Sequence, residues 1–127
     1  MTSVEAKLKR QYTVNNTARE LTWFSDEPIE AGGLNLGPKP TELLLSSLTS
    51  CKIITVQMYA QRKGWKIDDI SIELTFLEKE NEKTVVAKKI NIVGDLDEKQ
   101  IERLIDISGR CPVAKMLSNS IEFKIIE

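Results

Sequence analysis

The sequence predicts a single α+β domain spanning residues 1–127, with mainly antiparallel sheet around one long central helix. Its predicted element order is ββ-α-ββ-αα-β. Three observations lead there. Residues 37–65, GPKPTELLLSSLTSCKIITVQMYAQRKGW, hold the one run long and apolar enough to be the spine of a 127-residue chain. Period-two alternation occurs in local pairs before and after it, the mark of hairpins. No βαβ succession is present, which argues against a parallel sheet.

The totals fit that class and exclude several functions. A chain of this length can bury a core without disulfide staples. Hydrophobic residues make up 41% and charged residues 29%, ordinary values for a globular domain. The net charge of -1 gives no electrostatic reason to expect nucleic acid or an anionic membrane as partner. The chain has no histidine, so Cys-His and Ser-His-Asp hydrolases are excluded, as are zinc sites that need imidazole. Two cysteines sixty positions apart cannot make a structural zinc site alone, and no metal or cofactor is expected. The N-terminal MTSVEAKLKRQY lacks a signal-peptide core. No run approaches the roughly 18 apolar residues of a membrane span, and a cytoplasmic location is expected. In that compartment cysteines are more often reactive or merely buried than permanently paired.

Val4, Ala6, Leu8 and Tyr12 alternate with Glu5, Lys7 and Lys9 as a first strand. Arg10 falls in phase with the inward set. It is either a strand end reaching water or an arginine aimed at an anion inside the fold. Asn15-Asn16 reads as a turn, and Arg19, Leu21 and Trp23 then share one face of a second strand. Residues 25–39 contain Pro28, Gly32, Gly33, Gly37 and Pro38. A loop of about 15 residues is long enough to suggest function or mobility.

The central helix should begin near Pro40 or Thr41 and end at Gly64. Leu43, Leu44, Leu45, Leu48, Ile53, Ile54, Val56, Met58 and Tyr59 cover more than one face, so burial against more than one surface is expected. Ile70, Ile72, Leu74 and Phe76 mark a strand, and a further strand runs over about 84–93. Asp97 with Gln100 makes a capping box, and Leu96 can staple onto Ile101. Gly109 stops that helix, Pro112 opens a shorter one, and Ile121, Phe123 and Ile125 alternate as a final strand.

Taken alone, Cys51 lies mid-helix among Leu48, Ile54 and Thr55, where cysteine usually acts as a small apolar group. Cys111, in RCPVAKML, stands at a helix start beside Arg110. Helix N-terminal amides and a guanidinium both stabilise a thiolate, so by local chemistry Cys111 is better placed to ionise.

The stretches GPKPTELLLSSLTSC and GRCPVAKML, with the element order, resemble the OsmC/Ohr family of small thiol-dependent peroxidases. The similarity covers nearly the whole chain. It implies a swapped homodimer with reactive cysteines near the subunit interface. By that resemblance Cys51 is the peroxide-attacking thiolate and Cys111 the resolving thiol, which reverses the order drawn from local acidity. A mid-helix cysteine needs an outside cation, and the family supplies an arginine held by a glutamate. The peroxidases place that glutamate ten residues ahead of the cysteine, directly after the proline. Thr41 stands there in this chain, with Glu42 next to it. If helical, Glu42 would lie about 13.5 Å from Cys51 along the axis and on the opposite face. It reaches the same site only if it precedes the regular helix or serves the other subunit; otherwise it is a first-turn acid complementing the helix dipole. Ala31 takes the place of the loop arginine of OsmC-type members. Ohr-type members use an N-terminal strand arginine, which leaves Arg10 and Arg19, and Arg10 fits its strand phase better. The TEL arrangement at 41–43 resembles a less characterised branch.

The resemblance implies reduction of organic hydroperoxides through a Cys51 sulfenate, resolved by Cys111 and recycled by an external dithiol. Residues Cys51, Cys111, Glu42 and Arg10 are the expected catalytic set. The alternatives are a relative that binds a small thiol or acyl ligand without turnover, and a purely structural dimer with two buried thiols.

Overall fold

The protein, in a computed structural model, is described over residues 2–126. Its contacts gather into two compact units, Met1–Leu44 and Leu45–Glu127.

The first unit holds three strands rather than the expected two: β1 Glu5–Arg10, β2 Thr13–Ala18 and β3 Leu21–Ser25, in one antiparallel sheet of that order. Its turns fall at Gln11 and Arg19, both with positive φ (47° and 55°). Asn15-Asn16 is therefore strand and not turn. The Asn16 amide works inside the sheet, donating to the Ser25 hydroxyl at 3.0 Å and to the Trp23 carbonyl at 3.3 Å. Arg19 belongs to a hairpin turn and not to a strand face. All of β1 is exposed, including Leu8 and Arg10, and its pairing with β2 shifts register between those two residues.

The long loop after β3 is ordered by one carboxylate. Asp26, 2% exposed, accepts the Thr13 hydroxyl at 2.6 Å and the backbone N–H groups of Glu27, Leu34 and Leu36 at 2.7 to 3.3 Å. A 3-10 turn at Ile29–Ala31 lies within the segment that these bonds close. Gly33 is required there, because a Cβ would come within 1.9 Å of the Glu27 carbonyl oxygen. The Thr13 hydrogen bond, supported by the backbone donors, holds the Asp26 carboxyl below the ordinary aspartate range.

Helix α1, Pro40–Lys63, begins in the first unit and runs on through the second. By length, and by a mean hydropathy of 1.2 over its most apolar window, it could cross a membrane, contrary to the expectation from the apolar runs. Serines and threonines count little against such an average. Only 22% of that window is buried within this chain. Leu48, Lys52, Val56 and Ala60 are buried at i, i+4 spacing, which keeps them on one slowly turning face. The expected burial against more than one surface is not met within this single chain, where Leu44, Ile54 and Met58 are exposed.

Strands β4 Asp69–Glu80 and β5 Lys83–Val93 form a two-stranded antiparallel sheet, with Ile70 opposite Ile92 and Ile72 opposite Ile90. Helix α2, Glu98–Ser108, opens on the expected capping box between Asp97 and Gln100. Leu104 and Ile107 of α2 pack with Val56 and Ala60 of α1, flanked by Tyr59, Trp65, Ile67, Ile70, Ile92 and Leu96. Helix α3 runs Pro112–Ser118. The expected closing strand is not formed among the described residues, and Phe123 and Ile125 are 90% and 97% exposed. An alternating segment becomes strand only against an edge with free N–H and C=O groups.

Helix α2 has no basic residue in its last turn. The cation comes from α1, where the buried Lys52 ammonium donates to the Ser108 carbonyl at 3.2 Å. Favourable charge at a helix C-terminus is thus supplied across the core.

Two outcomes follow. A carboxylate with a depressed native pKa contributes stability above the ordinary aspartate range, and that contribution is lost as pH falls through the native value. Asp26→Asn should lower the thermal midpoint at neutral pH and flatten its decline in acid. Parallel midpoint-versus-pH curves for variant and wild type would contradict this. Lys52→Ala leaves the Ser108 carbonyl without its donor and should cost about 1–3 kcal/mol in urea unfolding. It should also speed the reaction of Cys111 with an aromatic disulfide reagent, and unchanged values in both measurements would remove the role assigned to Lys52.

Candidate functional site

Both cysteines are free thiols in the second unit, and their surroundings differ. Cys51 is half-buried in α1. Cys111 is fully buried and occupies the residue before α3, with extended backbone and Pro112 at the first helical position. Its carbonyl accepts the Lys115 N–H at 3.2 Å, the first bond of that helix.

The corner carrying Cys111 is tightly determined. In the last turn of α2 the Ser108 hydroxyl donates to the Ile105 carbonyl at 2.5 Å, and Gly109 N–H donates to Asp106 at 3.1 Å. Arg110 N–H donates to Ile107 at 2.9 Å, and Lys52 takes Ser108. All four terminal carbonyls that a helix normally leaves open have donors, so the chain leaves α2 in one direction and delivers Cys111 inward.

A cleft of about 610 Å³ lies beside this corner, lined by Thr55, Met58, Gln61 and Arg62 of α1 and by Arg110 and Pro112. Thr55 is one turn beyond Cys51 on the same helix face, and Arg110 and Pro112 are the chain neighbours of Cys111.

Two guanidinium groups, those of Arg62 and Arg110, line the cleft. Asp106 binds Arg110 at 2.7 Å and Arg103 at 3.3 Å, and the Arg103 Nε donates to the Tyr59 hydroxyl at 3.0 Å. The Tyr59 ring sits among three cations, with Arg103, Lys63 and Arg62 at 5.4, 5.7 and 5.9 Å from its centroid. The Arg103 hydrogen bond, followed by the charges around it, holds the Tyr59 phenol below its ordinary range. The same bond raises Arg103 further. Pairs this exposed add little stability; their effect is to orient the guanidinium groups.

The residues expected from the sequence are distributed as follows. Neither cysteine is among the residues that line this cleft; Cys51 lies one helical turn before Thr55, and Cys111 stands between Arg110 and Pro112 in the chain. Arg10 lies exposed at the end of β1 in the first unit. Glu42 is in the first turn of α1, and its Oε1 accepts the Lys39 N–H at 3.0 Å, which caps the helix start. Lys52, Arg62, Arg103 and Asp106 were not singled out from sequence. The signal for Lys52 is a lone charge in the 48-52-56-60 stripe. For Asp106 it is i, i+4 spacing to Arg110. Among the described residues no three His, Cys, Asp or Glu side chains converge as metal ligands.

Comparison with known proteins gives a consistent picture. No curated protein matches the chain in sequence. Among solved structures, an OsmC-like protein from Mycoplasma pneumoniae superposes with a TM-score of 0.79 at 21% identity, over 93% of this chain and 87% of that one. A hypothetical protein from Aquifex aeolicus VF5 gives 0.73 at 27% identity, over 93% and 87%. The organic hydroperoxide resistance protein OhrB of Bacillus subtilis gives 0.63 at 22% identity, over 91% and 89%. A family model described as OsmC-like protein matches residues 32–126, which carry α1, both cysteines and the cleft. With its α+β fold, the chain belongs to the OsmC family.

Proposed function

We propose that this protein is a thiol peroxidase for organic hydroperoxides, with Cys51 as the attacking thiol and Cys111 as the resolving one. The observation that carries the reading is the unlike burial of the two thiols. Cys51 is partly accessible, and Cys111 is wholly enclosed. A peroxide can reach the first, whereas the second suits a partner thiol released when the corner loosens. The name of the Bacillus subtilis relative, an organic hydroperoxide resistance protein, supports the substrate class.

In the first step the Cys51 thiolate attacks the distal peroxide oxygen and the O–O bond breaks. Cys51 becomes a sulfenic acid, and the alkoxide leaves as the alcohol after taking a proton. The Cys111 thiol then displaces hydroxide from that sulfur, forming a disulfide and water. An external dithiol reduces the disulfide by exchange and is itself oxidised to a disulfide, restoring both thiols. Arg10 is the cation assigned to the Cys51 thiolate. With Glu42 Oε1 engaged by Lys39, Oε2 is the oxygen left to anchor that guanidinium.

The active form is a swapped homodimer. The apolar residues left open in one chain, Ile54 and Met58 on α1 and Phe123, Ile125 and Ile126 near the C-terminus, support a second copy. Isolated exposed apolar residues are ordinary, but a face and a segment together mark an association surface.

Peroxide-dependent consumption of a dithiol should be abolished in Cys51→Ser. In Cys111→Ser it should stop after one turnover, with a sulfenic acid trapped at Cys51. Wild-type consumption no faster than that of Cys51→Ser rejects the peroxidase. Separately, truncation after Ser120 should shift the sedimentation coefficient from dimer toward monomer, and an unchanged coefficient would reject the exchange of the C-terminal segment.

A further inference from the structure

One buried charged group close to the thiols along the chain has no part in the peroxidase steps. Lys52, 8% exposed, follows Cys51 in α1, and its ammonium donates to the Ser108 carbonyl at 3.2 Å. It makes no ion pair among the described residues. A hydrogen bond from a charged donor is stronger in a low-dielectric interior, and parting it there leaves the ammonium buried without a partner. Ser108 is fully buried as well, and only Gly109 and Arg110 separate it from Cys111. What holds Ser108 therefore holds Cys111.

The corner between α2 and α3 is fastened at two points of unlike strength. On its outer side Arg110 meets Asp106 at 2.7 Å, and both side chains are more than half exposed. Exposed pairs of this kind contribute little. The inner fastening is the contact to Lys52, which lies out of water. It joins the corner that carries Cys111 to the helix that carries Cys51. Both thiols are free, and Cys111 is wholly enclosed. A disulfide needs its sulfurs about 2 Å apart, so closing one between these residues draws on movement of the corner against α1. The Lys52 contact opposes that movement.

We propose that Lys52 positions the resolving thiol and sets the rate at which Cys111 reaches Cys51. The proposal rests on the assignment of Cys111 as the resolving thiol. While the ammonium holds Ser108, Cys111 stays enclosed and an oxidised Cys51 persists. When the contact parts, the corner loosens and Cys111 attacks the Cys51 sulfur. With a sulfenic acid at Cys51, the disulfide forms and water leaves. The delay leaves that sulfenic acid open to a second hydroperoxide, which converts it to sulfinic acid and departs as the alcohol.

The test closes the same bond without peroxide, so its result does not depend on whether hydroperoxides are substrates. An aromatic disulfide reagent exchanges with Cys51 and releases one coloured aromatic thiolate. Cys111 then gives up its proton to water and displaces a second aromatic thiolate from the mixed disulfide, forming the Cys51–Cys111 bond. This second release should be independent of reagent concentration and absent in Cys111→Ser. Lys52→Met keeps the length of the side chain without the donor. It should speed the second release about tenfold or more, the scale of one charge-assisted hydrogen bond, and leave the first release unchanged. Lys52→Arg, which keeps a charged donor, should return the second release toward the wild-type rate, and Lys52→Gln, a neutral donor, should fall between. General loosening of the fold would instead speed both releases and show no such order. A second release in Lys52→Met equal to or slower than wild type, a Lys52→Arg protein as fast as Lys52→Met, or a second release that rises with reagent concentration would each overturn the proposal.

Discussion

The second unit depends on one ammonium group placed where an apolar side chain would otherwise stand. Lys52 lies in the buried stripe of α1 between Leu48 and Val56, and its nitrogen reaches the Ser108 carbonyl. Burying a charge is costly unless a partner offsets it. The end of α2 is such a partner, since it gathers open carbonyls and the negative pole of the helix. Helix α2 brings no lysine or arginine of its own to that turn. Each side therefore needs the other. The same contact fixes where the chain leaves α2, and so where Cys111 is buried.

The first unit uses the opposite charge in a similar way. Asp26 collects one hydroxyl and three backbone N–H groups from residues up to thirteen positions away, and with them it shapes the segment that leads into α1. A carboxylate accepts several donors at once, whereas a neutral amide has one acceptor oxygen. That difference explains why aspartate, and not asparagine, suits the position. In both units a long-range polar contact finishes what apolar burial leaves undetermined: the path of chain between regular elements.

This division also explains what was legible in the sequence. Period and caps are local, and they located α1, β4, β5 and α2, down to the Asp97 and Gln100 box. Asn15-Asn16 misled because a turn signal is a preference of isolated residues. Here the Asn16 amide found better partners across β3, and the turns moved to Gln11 and Arg19. Ile121, Phe123 and Ile125 have a strand pattern, but a pattern does not contain the edge that would pair with it. Lys52 and Asp26 were passed over for the same reason. Their partners are 56 residues away in one case and spread over the loop in the other, and no spacing rule reaches that far. At the site, the cysteines stood out by type and position. The arginines that line the cleft did not, because basic residues at helix C-termini are ordinary complements of the helix dipole and carry no mark of a site.

The two faces of α1 show why the candidate site sits where it does. Residues 48, 52, 56 and 60 form the buried stripe. Residues 51, 55, 58 and 62 follow at i, i+4, i+7 and i+11, centred roughly 110° further round the helix. The first stripe is fixed by Lys52 and the Val56–Leu104 core, which leaves the second at the border between interior and solvent. A thiol at that border is covered enough to be shielded from bulk reagents and open enough to meet a ligand. Arg62, at the other end of the line, stays outside, where a guanidinium costs least. Rotating the helix by one residue would bury Arg62 or expose Val56, and either would oppose the packing against α2. The chemistry available to Cys51 is thus set by the same rotation that secures the core.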